Sequence, residues 1–487
     1  MTASGMLRRR VLAALGIAAL SAGAVPMSAA PAAAATATVP CSVSALVAAI
    51  DAANATPGAD VISLAPHCTY TLSDANNGQN GLPLISGDIT INGRGSTITR
   101  ASSAPDFRFF HVLESATLSL NTLTLRGGRA SDCQNDPLGF ITGCGGAIES
   151  FGTVNVNDSH VDRNLATSAV AGDNVEGGAI ENFGTLNVTS SSFDSNTATF
   201  TGSGTDSEVV GGAIANEGSL SVDSTVLTRN TIRLAGTGTI GGSSLQLADG
   251  GAIGSFGPAT IARSVINGNH VYGSDSNDAV NGGAIANIFA TMTISSTTVT
   301  NNGVTARLGA ANGGGMITAG THSVLTVTDS LFVGNTAAAP SLAAPSGGCV
   351  PETSSVATSG AIFAASGKVS ITSTTLAKNT VNADGGCGTA LGGAVRNAKA
   401  TLSFARVQVL NNSVSGAPAH GGGIASGAAV PSMTIDRSTI AGNAASGPQA
   451  SGGGIFNLST GVLTVTRSHV TGNTPDDCSP PSSACTP

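Results

Sequence analysis

Two glutamates, Glu149 and Glu181, each follow a Gly-Gly-Ala-Ile quartet, so two carboxylates occupy the same position of a repeat. If repeats stack, they stand side by side. Neighbouring carboxylates resist double ionisation unless a cation lies between them or one keeps its proton. Such a pair could take Ca²⁺ through its oxygens or work as a hydrolytic pair on a glycosidic bond. More acids lie upstream of the quartets, at Asp132, Asp136, Asp173, Glu176, Asp206, Glu208, Asp249, Asp275 and Asp278. Stacking would gather them into one acidic strip, whose plainest role is a solvated surface that favours solubility. A second pattern comes later in the chain. Arg406, Arg437 and Arg467 each stand six residues before an asparagine of the repeat and should stack as a basic stripe. Guanidinium groups grip carboxylates or sulfates bidentately; in the alternative the stripe only decorates a turn, with Asp436 as partner. His160 and His469 share a repeat position but lie far apart along any stack, which excludes a joint metal site. No cysteine spacing has the paired form of a zinc site either.

The elements that would position these groups follow from the repeat itself. Asn164, Asn196, Asn230, Asn269, Asn302, Asn335, Asn379, Asn412, Asn443 and Asn473 have nearly identical surroundings, with a large apolar residue three positions earlier, from Val161 and Phe193 to Val470. Upstream of each lies a glycine signature, as at Gly145, Gly177, Gly211, Gly250, Gly282, Gly392, Gly421 and Gly452. A repeat of this length means a solenoid. Period-two alternation rich in Val, Thr, Ile and Ser argues for strands. The segment from Gly177 to Ala198 has room for three short strands and three turns. Stacking sets Val161 under Phe193 under Leu227, at about 4.8 Å per coil. The expected class is therefore all-β, a right-handed parallel β-helix, the hand following the preference for right-handed crossovers.

The asparagines then read as structural. Asn tolerates the left-handed backbone of a sharp turn, and its amide can pair with the next coil's amide in a ladder. A second polar column comprises Asn182, Asn216, Ser255, Asn287, Asn397 and Asn457. The glycines allow positive φ or close backbone approach. Between the Asn strand and the next signature the chain inserts segments of variable length, such as Leu234 to Ala248 and Ala338 to Thr358. Confined to one corner, they should project from one edge as a binding face.

Residues 1–35 read as a secretory signal, with Arg8, Arg9 and Arg10 before an apolar run and cleavage after Ala35. Both general and twin-arginine export stay open. Residues 36–130 form a cap and irregular first coils, 131–475 ten repeat coils, and 476–487 a Cys/Pro/Ser tail. In the cap, Val43, Leu46, Val47 and Ile50 make one face of a short helix ending near Asn54. No later stretch is apolar enough to span a membrane as a helix. The eight cysteines suit an oxidising compartment. Sequence neighbours suggest Cys41–Cys68, Cys133–Cys144 and Cys478–Cys485, with Cys349 and Cys387 in loops of adjacent coils. Without the three signal arginines the chain keeps 17 Lys and Arg against 28 Asp and Glu, a balance of −11. That disfavours nucleic acid, whose binding relies on basic patches.

The GGAI quartet followed by Phe193-x-x-Asn196 or Phe332-x-x-Asn335 resembles the polymorphic outer membrane protein repeat family. The stretch from Cys41 through Ile50 to Asn54, then Asp60-Val-Ile-Ser-Leu64, is similar to the CSLREA-type segment that precedes such repeats in secreted bacterial β-helix proteins. The resemblance implies a pectin-lyase-like fold and, in the membrane family, adhesion to host surfaces. Most units here carry Val, Leu or Ile in place of that Phe, and no C-terminal autotransporter barrel is evident. Compact Asp pairs, Gly-His-Gly and Arg-x-Lys segments resembling pectinolytic enzymes are absent. With no Trp and two Tyr, aromatic platforms for sugars are scarce. The expected function is a secreted, non-catalytic scaffold binding carbohydrate or a surface partner through the looped edge. The alternatives are a lyase or hydrolase on acidic polysaccharide, with Glu149 and Glu181 as its acids, and a purely structural envelope or matrix protein. No cofactor is expected beyond Ca²⁺ at the acidic edge.

Overall fold

The structure, a computed structural model, describes residues 36–131, 133, 144–170, 172–202, 207–235, 246–274, 278–307, 309–340, 355–383 and 388–481. All lie in one compact unit. The expected signal at 1–35 lies outside the described residues, as do Asp132, Asp136, Asp206, Asp275, Cys349, Cys387 and Cys485.

The chain winds into a parallel β-solenoid of about eleven turns. One coil shows the plan. Strands Ile180–Asn182, Thr185–Thr189, Ser192–Asp194, Thr197–Phe200 and Glu208–Val210 follow one another, and each pairs in parallel with its counterpart in the next coil. In Thr185–Thr189 only Leu186 and Val188 are buried, the alternation the sequence carried. Val161, Phe193 and Leu227 are direct register partners in the interior column.

A coil thus has five strands where three were expected. The insert after each asparagine from Asn164 to Asn412 begins and ends as strand, and its length varies in between. Its two ends stack into sheets of ten and eight strands, beside the 25- and 12-stranded sheets of the main body. Their inner faces enclose a separate core that includes Ala198, Phe200, Val209, Ile232, Leu234 and Ala248. This second layer is a thin fin on the body. The signature glycines form the neck between them. Gly177 has φ +66°, and a Cβ on Gly178 would come within 2.6 Å of the Thr197 carbonyl carbon, so two backbones touch there and no side chain fits.

The ten asparagines line one flank of this neck, wholly buried apart from Asn473 at the end. Each side-chain nitrogen donates to the next coil's side-chain oxygen: Asn164 to Asn196 at 2.9 Å, Asn196 to Asn230 at 3.0 Å, and so on to Asn473. Each side-chain oxygen also accepts the backbone N–H of the preceding coil's Asn, as from Asn164 to Asn196 at 3.0 Å. The run stops at Asp477, whose carboxylate takes both donors of Asn473. The ladder is as expected; the left-handed backbone is not. Positive φ falls one residue earlier, at Arg163, Ser195, Arg229, Asn301, Lys378 and Asn411. The turn residue points outward and accepts almost any polar side chain, while the Asn keeps ordinary backbone so that its N–H can join the ladder.

At the N-terminal end the helix Val43–Ala55 starts from Ser42, whose side chain accepts the Ala45 N–H at 3.4 Å, and buries Leu46, Ile50 and Ala53. Val43 and Val47 pack beside them, partly buried. An open solenoid end exposes core, and an amphipathic helix covers it. Disulfides Cys41–Cys68 and Cys133–Cys144 form as expected, and Cys478 is also disulfide-bonded. Among the described residues, no helix is long and apolar enough to cross a membrane.

Candidate functional site

On the other flank of the neck, fin and body meet along a seam. From the fin comes the residue preceding each neck: Glu176, Val210, Asp249, Asn281, Asn312, Thr358, Leu391 and His420, in register. From the body comes the outward residue of the 12-stranded sheet: His111, Glu149, Glu181, Ala215, Gly254, Ala286, Ile317, Phe363, Arg396, Ala425 and Phe456. The columns touch with an offset of one coil. A Cβ on Gly254 would lie 2.3 Å from Val210 Cγ1. The His420 and Phe456 rings stack with centroids 4.2 Å apart.

Glu149 and Glu181 are register partners, as the sequence implied, but only 1% and 0% exposed. Glu149 forms an ion pair with the buried Arg108 guanidinium, and His111 Nδ1 lies 2.7 Å from the same oxygen. Arg108 Nη2 donates to Gln79 Oε1 at 3.1 Å. Phe151 leans on His111 and stacks on Phe183 with centroids 4.8 Å apart. The role this geometry gives Glu149 is structural, because its charge balances a buried guanidinium.

Of the acids expected to form a solvated strip, four of the described ones are buried. Asp173, Glu176, Asp249 and Asp278 are all 4% exposed or less. Asp173 accepts from Ser168 at 2.5 Å inside the fin. Asp278 also turns inward, towards Gly273. Alternation along short strands sends these two into the fin, and Glu176, Glu208 and Asp249 towards the seam. Asp249 ends a directed chain of donors. Thr358 Oγ1 donates to Asn312 at 2.8 Å, Asn312 to Asn281 at 2.9 Å, and Asn281 to Asp249 at 2.9 Å. Burial, and then the charge of Glu208, push Asp249 up to about 7 against the hydrogen bond from Asn281. Among the described residues no three His, Cys, Asp or Glu side chains gather as ligands for a metal ion.

The basic stripe does stack, in left-handed turns at Arg406, Arg437 and Arg467. Asp436 partly neutralises it, lying 2.7 Å from Arg467 and 3.6 Å from Arg437, while Arg406 Nε donates to Ser373 at 3.2 Å. Burial pushes Asp436 up, but hydrogen bonds from Thr466 and Arg467 and the two arginine charges outweigh that and hold it low. Arg263 occupies the same column, six residues before Asn269, paired with Asp223 at 2.6 Å; its spacing was a usable signal.

Sequence reasoning missed Arg108 and His111 because the first coil has no glycine quartet to align it. It also missed Arg396 and His420, which quartet alignment could have found. Arg396 follows Gly392-Gly-Ala-Val, the position of Glu149 and Glu181, and His420 directly precedes Gly421. Burial lowers the Arg396 pKa; burial and the Arg396 charge lower that of His420.

No protein-family model and no curated protein matches the chain. Among solved structures, it is similar to the crystal structure of PfbA, a surface adhesin of Streptococcus pneumoniae, with 12% identity and a TM-score of 0.30, covering 87% of this chain and 86% of that one.

Proposed function

We propose that the protein is an extracellular, non-catalytic scaffold that binds a glycan or another surface partner through its fin. The observation that carries this reading is the fin's construction. Its two sheets are pinned in register coil after coil, while the connections between them differ freely, from residues 416–418 in one coil to 339–355 in another. Rigid layers with variable connections at one edge are how binding surfaces are diversified without disturbing a core. Three disulfide-bonded pairs or half-pairs suit an oxidising compartment.

The hydrolytic reading of Glu149 and Glu181 loses ground on physical argument. A general acid and its partner must reach a substrate bond. These two carboxylates are buried, one of them committed to Arg108 and His111.

The test is a loop exchange. Replacing 339–355 with the short connection 416–418 should lower binding on a glycan array or to a surface extract while leaving the thermal midpoint within a few degrees. Binding that survives trimming of every long fin connection would sink the proposal. Release of unsaturated or reducing ends from an acidic polysaccharide would also overturn it, in favour of an enzyme.

A further inference from the structure

On the outer face of the fin's ten-stranded sheet, two neighbouring coils carry large planar side chains between coils that carry short ones. Thr197 and Thr199 precede them in register, and Gly303 and Thr305 follow. Between stand Arg233, His270 and Tyr272, which point outward because Ile232, Leu234 and Val271 fill the fin's core. Arg233 and Tyr272 are direct register partners, and the guanidinium carbon lies 4.9 Å from the centre of the Tyr272 ring. The His270 imidazole stacks on the same ring with centroids 3.9 Å apart, and its Nε2 lies 2.9 Å from Thr305 Oγ1. A Cβ on Gly303 would come within 2.6 Å of His270 Cε1. Glycine at 303 thus makes room for the imidazole; its backbone is not left-handed. Of the chain's two tyrosines, Tyr70 is buried, whereas Tyr272 is 38% exposed. Arg233 is exposed as well.

A guanidinium stacked on an aromatic ring is held through its face, and its N–H groups stay in its plane, where an oxyanion is gripped. Groups ordered before binding lose less entropy when a ligand arrives. The stack orders two such groups at once. One is a cation suited to a two-pronged hydrogen bond. The other is a phenol whose hydroxyl both donates and accepts. Both stand at the rim of the fin, two residues before the connections 235–245 and 274–277 begin. We propose that Arg233 and Tyr272 form a subsite for an acidic sugar of a glycan, with its carboxylate or sulfate on the guanidinium and a hydroxyl of the same sugar on the phenol. The third member, His270, adds no charge at neutral pH, because burial and then the Arg233 charge lower its pKa to about 4. The anion is therefore drawn to Arg233.

This rests on the binding reading above and names its ligand class, but its test lies in other coils than the loop exchange, so the two can fail separately. With no Trp in the chain and Tyr70 buried, tyrosine fluorescence reports chiefly on Tyr272. Titration with oligogalacturonate should change it saturably, and a neutral oligosaccharide of similar length should not. By calorimetry, the dissociation constant should rise at least about tenfold in Arg233→Gln and in Tyr272→Leu. It should not change in Arg229→Gln, an exposed arginine of the same coil that pairs with Asp194. All three variants should melt within a few degrees of the parent, because the cluster lies outside both cores. Equal binding of the neutral oligosaccharide would overturn the acidic class, and an equal response to inorganic sulfate would overturn the glycan. Full binding by Arg233→Gln would overturn the subsite. So would the absence of heat and fluorescence change with both oligogalacturonate and a sulfated heparin oligosaccharide, and other glycans bound on the array would then leave the scaffold reading standing.

Discussion

The two flanks of the neck are built by the same repeat and have opposite characters. On one flank ten identical asparagines form a neutral ladder in which donors and acceptors match from Asn164 to Asp477. On the other, equivalent positions hold Glu149, Glu181, Ala215, Gly254, Ala286, Ile317, Phe363 and Arg396 in turn. An amide carries donor and acceptor together, so identical residues satisfy one another without limit. A carboxylate only accepts and a guanidinium only donates, so neither can be repeated next to itself without a partner of the other kind. Repetition therefore holds the solenoid together, and departure from it marks where individual coils have roles of their own.

The comparison breaks most visibly where a buried charge is orphaned. Glu149→Ala leaves Arg108 buried without its carboxylate and should cost about 3–5 kcal/mol, read as a lowered denaturant midpoint. The double change Arg108→Met/Glu149→Leu should recover most of that loss. If Glu149→Ala unfolds with the parent, the ion pair has no structural weight. The neutral flank is sensitive too, through hydrogen bonds alone. Asn302 Oδ1 accepts both the backbone N–H and the side-chain nitrogen of Asn269. Asn302→Ala strands both donors and should cost at least about 2 kcal/mol. The loss should be independent of pH, whereas effects on the seam should not be.

That contrast can be sharpened with pH. Asp249 titrates at about 7 in the folded chain, above its ordinary value of 3.8. A carboxyl raised on folding contributes fully below its unfolded value, and the contribution is lost as pH rises through the folded one. Between these values the folded state binds the extra proton, so stability falls with pH, by up to about 1.4 kcal/mol per unit. Asp249→Asn keeps an acceptor for Asn281 and removes the titration. The advantage of that variant over the parent should be small at pH 4.5 and grow towards pH 7.5. An equal difference at both would show that Asp249 is not the group responsible.

The body of the fold was legible because its signals are local and repeated. Alternation in Thr185–Thr189, the apolar residue before each asparagine and the paired cysteines near Cys41 and Cys133 each needed only a few residues of context. The fin was not legible as a layer. Strands as short as Val175–Glu176 and Ala419–His420 carry almost no periodicity of their own, and their pairing across unequal connections shows only once coils are stacked. The site failed for a related reason. Glu149 and Glu181 were aligned correctly, yet the partners that set the meaning of Glu149 come from a coil without the quartet. Acidity was read as exposure, although alternation along each strand decides which carboxylate faces water.

The smallest effect concerns a fault in the repeat itself. On the seam side of the body, the second polar column runs Asn182, Asn216, Ser255, Asn287, with Asn182 donating to Asn216 at 2.7 Å and Asn216 to Ser255 at 2.9 Å. Ser255 spends its single proton on Gly257 O at 2.8 Å, so Asn287 Oδ1 is buried with no donor. The same fault recurs at the start of the column, where Ser150 donates to Gly152 O and Asn182 Oδ1 is left over. A hydroxyl has one proton and a primary amide has two, so serine can continue the chain or close its own turn, but not both. Ser255→Asn should do both, as Asn216 does with Gly218 O at 3.2 Å, and stabilise the chain by about 1 kcal/mol. The gain should vanish when Asn287 is also changed to Ala, because the cycle then removes the acceptor that the new amide serves. A gain that persists without Asn287 would assign the effect to something other than the completed ladder.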